Sequence, residues 1–250
     1  MSGDRARPDI PILTLDGWSG SGKSTLARTL AGRLGWTYLD SGAWYRALAW
    51  AVLREGARLD DEKAILDLLF RIQLSGLPDG QVRVNDDAPG TQLRTPEVDR
   101  AVSQVADHPR VRAALNERMR AVALPPGAAV VSGTKPVTGL VVDGRDAGSV
   151  IFPEARLKVF VEASLDERAR RRSAQQPGQD FVTVRALIQD RDRRDGTRGA
   201  SAPSPATAGR VLLNESFTVE EAVGRLLAWA RETWPEQAAL RGPISPPNLS

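Results

Sequence analysis

The chain has 250 residues, 41% of them hydrophobic, which is enough to bury the core of one ordinary domain with room for an insertion. It has no cysteine, which excludes disulfides and thiolate metal sites, and a single histidine, His108, which argues against a zinc centre or a histidine-based triad. The net charge is only +3 with its basic residues dispersed, no apolar run reaches the roughly 20 residues of a membrane span, and Met1–Pro11 is too polar for a signal peptide; together these predict a cytoplasmic protein without a membrane or nucleic-acid partner.

Residues 1–9 read as a flexible leader. Ile10–Leu15 is a short apolar run ending at Asp16-Gly17, the pattern of a buried parallel strand. The spacing of Leu26, Leu30 and Leu34 predicts a helix over 23–34, and Trp36–Leu39 a second strand, which completes a strand–helix–strand unit. Helices are expected over 43–54 and 62–69. A small β-excursion follows at 81–85, near Pro89-Gly90, and then a long helical stretch over 97–122 broken near His108-Pro109.

Val130-Val131 and Leu140–Val142 are strand-like, separated by a Gly/Thr/Pro loop, and Leu157–Val161 is a further buried strand. Ser164 is placed to cap a helix, and a second basic helix is expected over 183–194. After a Ser/Pro/Ala loop at 199–209 come a last strand at 211–213 and a closing helix at 218–233, with Val223, Leu226, Leu227 and Ala230 on one face. Pro235–Ser250 reads as a flexible tail. Alternating strands and helices imply an α/β fold, a parallel sheet flanked by helices.

The segment Gly17-Trp18-Ser19-Gly20-Ser21-Gly22-Lys23-Ser24, followed by Thr25, satisfies the phosphate-loop pattern G-x-x-x-x-G-K-[ST]. Its glycines let backbone N–H groups turn inward onto a polyphosphate at a helix N-terminus. Lys23 is the candidate to neutralise the β- and γ-phosphates, and the Ser24 hydroxyl to ligate Mg²⁺. A preceding apolar strand and a following amphipathic helix supply the context that the motif needs. A switch or motor nucleotidase is the competing reading; no N-K-x-D guanine signature is present, and the acid in Val141-Val142-Asp143 runs directly into Gly144-Arg145-Asp146.

Several ordered blocks resemble the bacterial cytidylate (CMP/dCMP) kinases over roughly residues 10–231. They are Asp16-Gly17 through Gly22-Lys23, Leu39-Asp40-Ser41-Gly42-Ala43-Trp44-Tyr45-Arg46, Arg94-Thr95-Pro96-Glu97-Val98 and Ser103-Gln104-Val105-Ala106. Pro109-Arg110-Val111-Arg112, Asp143-Gly144-Arg145-Asp146-Ala147-Gly148, Phe152-Pro153 and Arg191 through Arg198 complete the set. The resemblance implies a P-loop kinase fold over 10–234, with a nucleoside-monophosphate-binding insertion at about 62–122 and an arginine-rich lid at about 168–198. It implies ATP with Mg²⁺ as phosphoryl donor and CMP or dCMP as acceptor, in a monomer.

The same resemblance implies residue roles. Asp146, Arg112 and Ser103 would read the cytosine edge, whose N4 amino group donates while O2 and N3 accept, and Ser41 would line that site. Arg46, Arg145 and Arg198 would clamp the acceptor phosphate, and Arg191 and Asp195 the sugar. Arg191, Asp195 and Arg198, at i, i+4 and i+7, would share a face if the helix continued. Lys23, Arg145, Arg194 and Arg198 would stabilise charge during transfer, with Arg194 and Arg168 over the donor. Asp143 would hold Mg²⁺ through water, or else form a structural turn.

Three features depart from that pattern. Trp18 stands where proline is usual, Gly209-Arg210 and Asn214-Glu215-Ser216 stand after the lid where Asp-Ala and then Asp-Ser/Thr are usual, and the 125–139 stretch is long. The alternatives are a P-loop kinase of another small acceptor, such as UMP or a shikimate-like alcohol, and a non-catalytic nucleotide- or RNA-binding protein.

Overall fold

The computed structural model describes residues 10–77, 79–124, 138–175, 178 and 180–236. The leader at 1–9, the Val130-Val131 strand, nearly all of the 125–139 stretch and the tail beyond Glu236 lie outside them. The described chain divides into two compact units, one built from residues 38–124 and the other from 10–37 together with 138–236.

Five strands form one sheet in the order β2 (Thr37–Asp40), β5 (Leu140–Gly144), β1 (Ile12–Asp16), β6 (Leu157–Glu162) and β7 (Arg210–Leu213), all but the last three residues of β2 lying in the second unit. The centre of the sheet is β1, five consecutive buried residues flanked in parallel by β5 and β6. Strands buried on both faces need apolar runs rather than alternation, which Leu140–Val142 and Val159–Val161 supply, while β1 also buries Thr14 and Asp16. β7 pairs in parallel with β6, and β2 enters the sheet through Thr37, whose N–H donates to Gly139 O at 2.9 Å. Strands are added on both sides of β1, so its carboxyl end lies at a switch in strand order, the position where open α/β sheets bind ligands.

Helix α1 (Lys23–Leu34) has the bounds that its leucine spacing predicts, with Leu26, Leu30 and Leu34 buried and Gly35 closing it at φ 63°. α6 (Leu165–Gln175) begins after Ser164, whose hydroxyl accepts from Glu167 N at 3.3 Å. α7 (Phe181–Gly196) follows, two residues longer at each end than expected; Asp180 caps its start, accepting from Thr183 N at 2.9 Å. α8 (Val219–Thr233) opens with a capping box between Thr218 and Glu221 and buries Val223, Leu226, Leu227 and Ala230.

In the first unit, α2 (Ser41–Arg54) starts two residues earlier than expected, since Asp40 caps it by accepting from Ala43 N at 2.9 Å. α3 (Glu62–Arg71) leads to an antiparallel hairpin of β3 (Leu74–Gly76) and β4 (Val82–Val84). Sequence periodicity shows only the second of these strands; three residues, Leu-Ser-Gly, are too few to display alternation. The long helical stretch is two helices, α4 (Pro96–Asp107) and α5 (Pro109–Ala123). His108 is extended at ψ 112° between them, because the ring of Pro109 disfavours helical geometry in the residue before it.

Candidate nucleotide-binding site

The phosphate loop joins β1 to α1 within the second unit. Two of its glycines have left-handed backbones, Gly20 at φ 82° and Gly22 at φ 91°, a region that residues with a Cβ rarely enter. Gly17 is required by crowding, since a Cβ there would stand 2.3 Å from Val161 O. Lys23 Nζ donates to Trp18 O at 3.3 Å, folded back over its own loop. Ser24 and Thr25 follow on the first turn of α1, half-buried and exposed respectively. Trp18 is accommodated: the nearest contact of a Cβ built at Gly196 would be its indole, at 3.8 Å.

Next to the loop lies a knot of charge. Arg145, just past the end of β5, donates through Nη1 to Gly17 O and through Nε to Asp195 Oδ2, both at 2.8 Å. Asp195 is buried, with Arg198 Nη1 on its Oδ1 and Arg191 Nε 4.0 Å from its Oδ2. Burial alone would raise the Asp195 pKa, but Arg145, Arg198 and Arg191 hold the carboxyl below the usual range. The helix does not continue to Arg198 as the i, i+7 argument supposes. It ends at Gly196, where Thr197 N–H turns back to Arg194 O and Asp195 O, and Arg198 still reaches Asp195 from beyond the cap. Arg194 takes no part in this knot; its side chain is 46% exposed and pairs with Asp190 at 2.6 Å.

Asp146 follows Arg145 directly and is buried, 3% exposed. It precedes a π-helical turn, Ala147–Ile151. The first two N–H groups of that turn are taken by Asp16, the last residue of β1, at 2.7 Å from Ala147 and 2.8 Å from Gly148. Gly148 makes this approach possible, because a Cβ there would lie 2.5 Å from Thr14 Oγ1. Burial pushes the Asp16 pKa up to about 6, opposed by those two amides and by Lys23, and reinforced by the charge of Asp146. Sequence motifs passed over Asp16 because it looks like the ordinary end of a strand.

Four candidate residues lie in the first unit. Ser41 opens α2 and is buried; Arg46, one turn on, places Nε 3.3 Å from Asp99 Oδ1. Ser103 is buried on α4. Arg112, on α5, stands over the Tyr45 ring at 5.3 Å and donates to Ala106 O at 3.3 Å. The Tyr45 hydroxyl in turn donates to Asn116 Oδ1 at 2.9 Å, which fixes the ring. Asp40 caps α2 and faces Arg94 at 3.8 Å.

The residues present suit a magnesium ion shared with a polyphosphate. Ser24 and Asp143, the latter 1% exposed on β5, offer one hydroxyl and one carboxylate, hard oxygen donors of the kind that Mg²⁺ takes while keeping substrate oxygens and waters. Among the described residues no group of three or more His, Cys, Asp or Glu could hold a metal by itself. No helix of the described residues is long and apolar enough to cross a membrane.

Comparison with known proteins converges on one family. The family model described as cytidylate kinase matches residues 13–232. The cytidylate kinase of Edwardsiella ictaluri is 38% identical over 231 residues, covering 90% of this chain and 97% of that protein. Those of Aeromonas salmonicida and Pseudomonas fluorescens are 40% and 41% identical, covering 89% and 87% of this chain and 94% of each relative. A match over most of the chain, with the phosphate loop, the Arg145-Asp146 pair and the arginine-ringed Asp195 all inside it, places this protein in the cytidylate kinase family.

Proposed function

We propose that the protein transfers the γ-phosphate of ATP to CMP or dCMP, giving CDP or dCDP, as a cytoplasmic monomer with no membrane or nucleic-acid partner. The observation that carries this reading is the joining of a phosphate loop to a buried carboxylate–arginine knot through Arg145, which touches both Gly17 O and Asp195. Loose phosphoryl-transfer transition states need positioning and charge neutralisation more than proton abstraction. Lys23, Arg145 and Arg198 are the groups for that, with Arg194 brought in from an exposed position over the donor.

Asp146, buried and next to Arg145, reads the cytosine amino group; Arg112 and Ser103 serve the ring acceptors, beside Ser41. For the acceptor phosphate, Arg46 is the candidate in the first unit and Arg145 and Arg198 are those in the second, where Arg191 and Asp195 hold the sugar. Bound Mg²⁺, held by Ser24 and through water by Asp143, would screen the β- and γ-phosphate charge. An insertion at about 62–122 binds the acceptor.

Residues 168–198 act as a lid. The apolar core between α6 and α7 is small, consisting of Ala169, Val184 and Ile188 with Leu165 packed against them, while Arg168, Arg171 and Asp195 anchor the segment to the phosphate loop and Arg145, so movement is confined to the part beyond those anchors. Closure excludes water that would otherwise accept the phosphate.

A coupled assay of ADP release with Mg-ATP against CMP, dCMP, UMP, AMP and no acceptor tests the reading. Fast turnover is expected with CMP or dCMP and slow turnover with the others. UMP or AMP as the best acceptor, or release that ignores the acceptor, would refute it. Hydrogen exchange supplies the test of the lid: ATP with CMP is expected to protect residues 168–198 more than either nucleotide alone.

A further inference from the structure

Phosphate loops bind through backbone N–H groups, and a planar trans peptide points each N–H away from the carbonyl that precedes it. No cis peptide occurs among the described residues. Whatever holds the Ser19 and Ser21 carbonyls therefore sets the direction of the Gly20 and Gly22 N–H groups. Both carbonyls are held by side chains. Arg168 Nη1 donates to Ser19 O at 3.1 Å, and Asn214 Nδ2 to Ser21 O at 2.8 Å, with Arg171 Nη1 at 3.3 Å from the same oxygen.

The loop is shaped to admit these side chains. A Cβ at Gly22 would stand 2.7 Å from Asn214 Nδ2, and one at Gly20 would stand 3.1 Å from Arg168 Cβ and 3.1 Å from its carbonyl oxygen. The two left-handed glycines thus face two of the residues that hold the loop. Those residues are themselves fixed. Arg168, 6% exposed, also donates to Ala163 O at 3.0 Å and pairs with Asp192 at 2.6 Å. Arg171 donates through Nη2 to Asn214 O at 2.6 Å and through Nε to Glu167 at 2.8 Å. Glu215 accepts from both the backbone N–H and the hydroxyl of Ser164, which ties the segment after β7 to the start of α6.

We infer that Arg168, Arg171 and Asn214 are positioning residues for the phosphate cradle: they hold alternate loop carbonyls outward so that the Gly20 and Gly22 N–H groups face the donor polyphosphate. The inference rests on the donor-site reading above. It gives Asn214 and Glu215, in the segment that departs from the usual Asp-Ser/Thr, a defined mechanical task. Asn214 supplies an amide donor to a carbonyl, which an ionised carboxylate cannot do.

The test compares wild type with Asn214→Ala, Arg171→Met and the double variant. Steady-state kinetics give KM for ATP, KM for CMP and kcat; calorimetry gives MgADP affinity, and thermal melting gives stability. Loss of the buried Asn214 donor is expected to weaken MgADP and raise the ATP KM by about tenfold, with the CMP KM within about twofold of wild type. Arg171→Met acts in the same direction by less, and because both residues hold one oxygen their effects are coupled in the double variant. Unchanged MgADP affinity in both single variants, with only a lower melting temperature, would overturn the inference. Should Asn214→Ala fail to fold, Arg171→Met decides, since that side chain is 25% exposed. A wild-type protein that binds no MgADP would overturn the donor-site reading itself, and this inference with it.

Discussion

The two units solve the problem of placing polar groups in different ways. In the unit that carries the sheet, functional groups are over-determined: Gly17 O, Arg145 and Asp195 are linked in series, and Asp16 occupies two amides of the turn that follows Asp146. In the other unit, single side chains project from helix faces. Arg46 has a 3.3 Å contact with Asp99, and Arg112 has a carbonyl and an aromatic ring. The first arrangement suits charge stabilisation, where reorganisation during the reaction is costly. In the second, charged side chains rest on helix-borne neighbours, as Arg112 does on the Tyr45 ring that Asn116 fixes.

Variants can break or sharpen this contrast. The largest effect is expected from Lys23→Ala, in the over-determined half. Removing a charge that acts chiefly during transfer should lower kcat by about a hundredfold or more, with the fold retained as judged by circular dichroism. Near-normal kcat would dissolve the distinction between the halves.

Asp146→Asn comes next. On the proposed role of Asp146, the amide replaces one acceptor oxygen with a donor, which would weaken a bond to cytosine N4 and remove repulsion toward the uracil O4. With about 1–3 kcal/mol at stake for each mispaired buried group, kcat/KM for CMP is expected to fall by roughly tenfold or more. The UMP value should fall less or rise, and the ATP KM should barely move. Equal losses for the two acceptors in steady-state kinetics would make Asp146 structural.

Arg46→Ala probes the other unit. One partly screened phosphate contact is worth less than a buried base contact, so the CMP KM should rise by about three- to tenfold while the ATP KM stays unchanged. A matching rise in both KM values would show that this half is as tightly coupled as the first.

A separate effect concerns the pH dependence of stability at Asp16. Its carboxyl is raised from 3.8 to about 6 in the fold by burial, with Asp146 and Lys23 the charged groups that act on it. A raised folded pKa gives stability that is fully present below 3.8 and is lost as pH climbs through about 6. Urea denaturation of wild type should therefore lose stability across that window relative to Asp16→Asn, whose amide does not titrate. Parallel profiles for the two proteins would show that Asp16 is not perturbed by its surroundings.

Much of this was legible from residues alone, and particular elements show why. α1 has the bounds that its leucines predict because a helix face is a local property of spacing. His108-Pro109 announces a break for an equally local reason, although the resulting pair of helices and the β3 strand needed coordinates. The face expected to hold Arg191, Asp195 and Arg198 turned out to be a helix end with Arg198 beyond it, since a capped terminus can reproduce the approach that a continuing helix would give.

By itself the sequence determined the phosphate loop, the α/β alternation and the order of blocks that marks the family, because each depends on neighbours within a few residues. Tertiary structure alone decided what surrounds the loop. Asn214 reaches Ser21 across 193 positions, Arg168 reaches Ser19 across 149, and Asp16 reaches Ala147 across 131. The direction of a backbone N–H is set by whichever group grips the carbonyl before it, and no periodicity records a grip between residues so far apart in the chain.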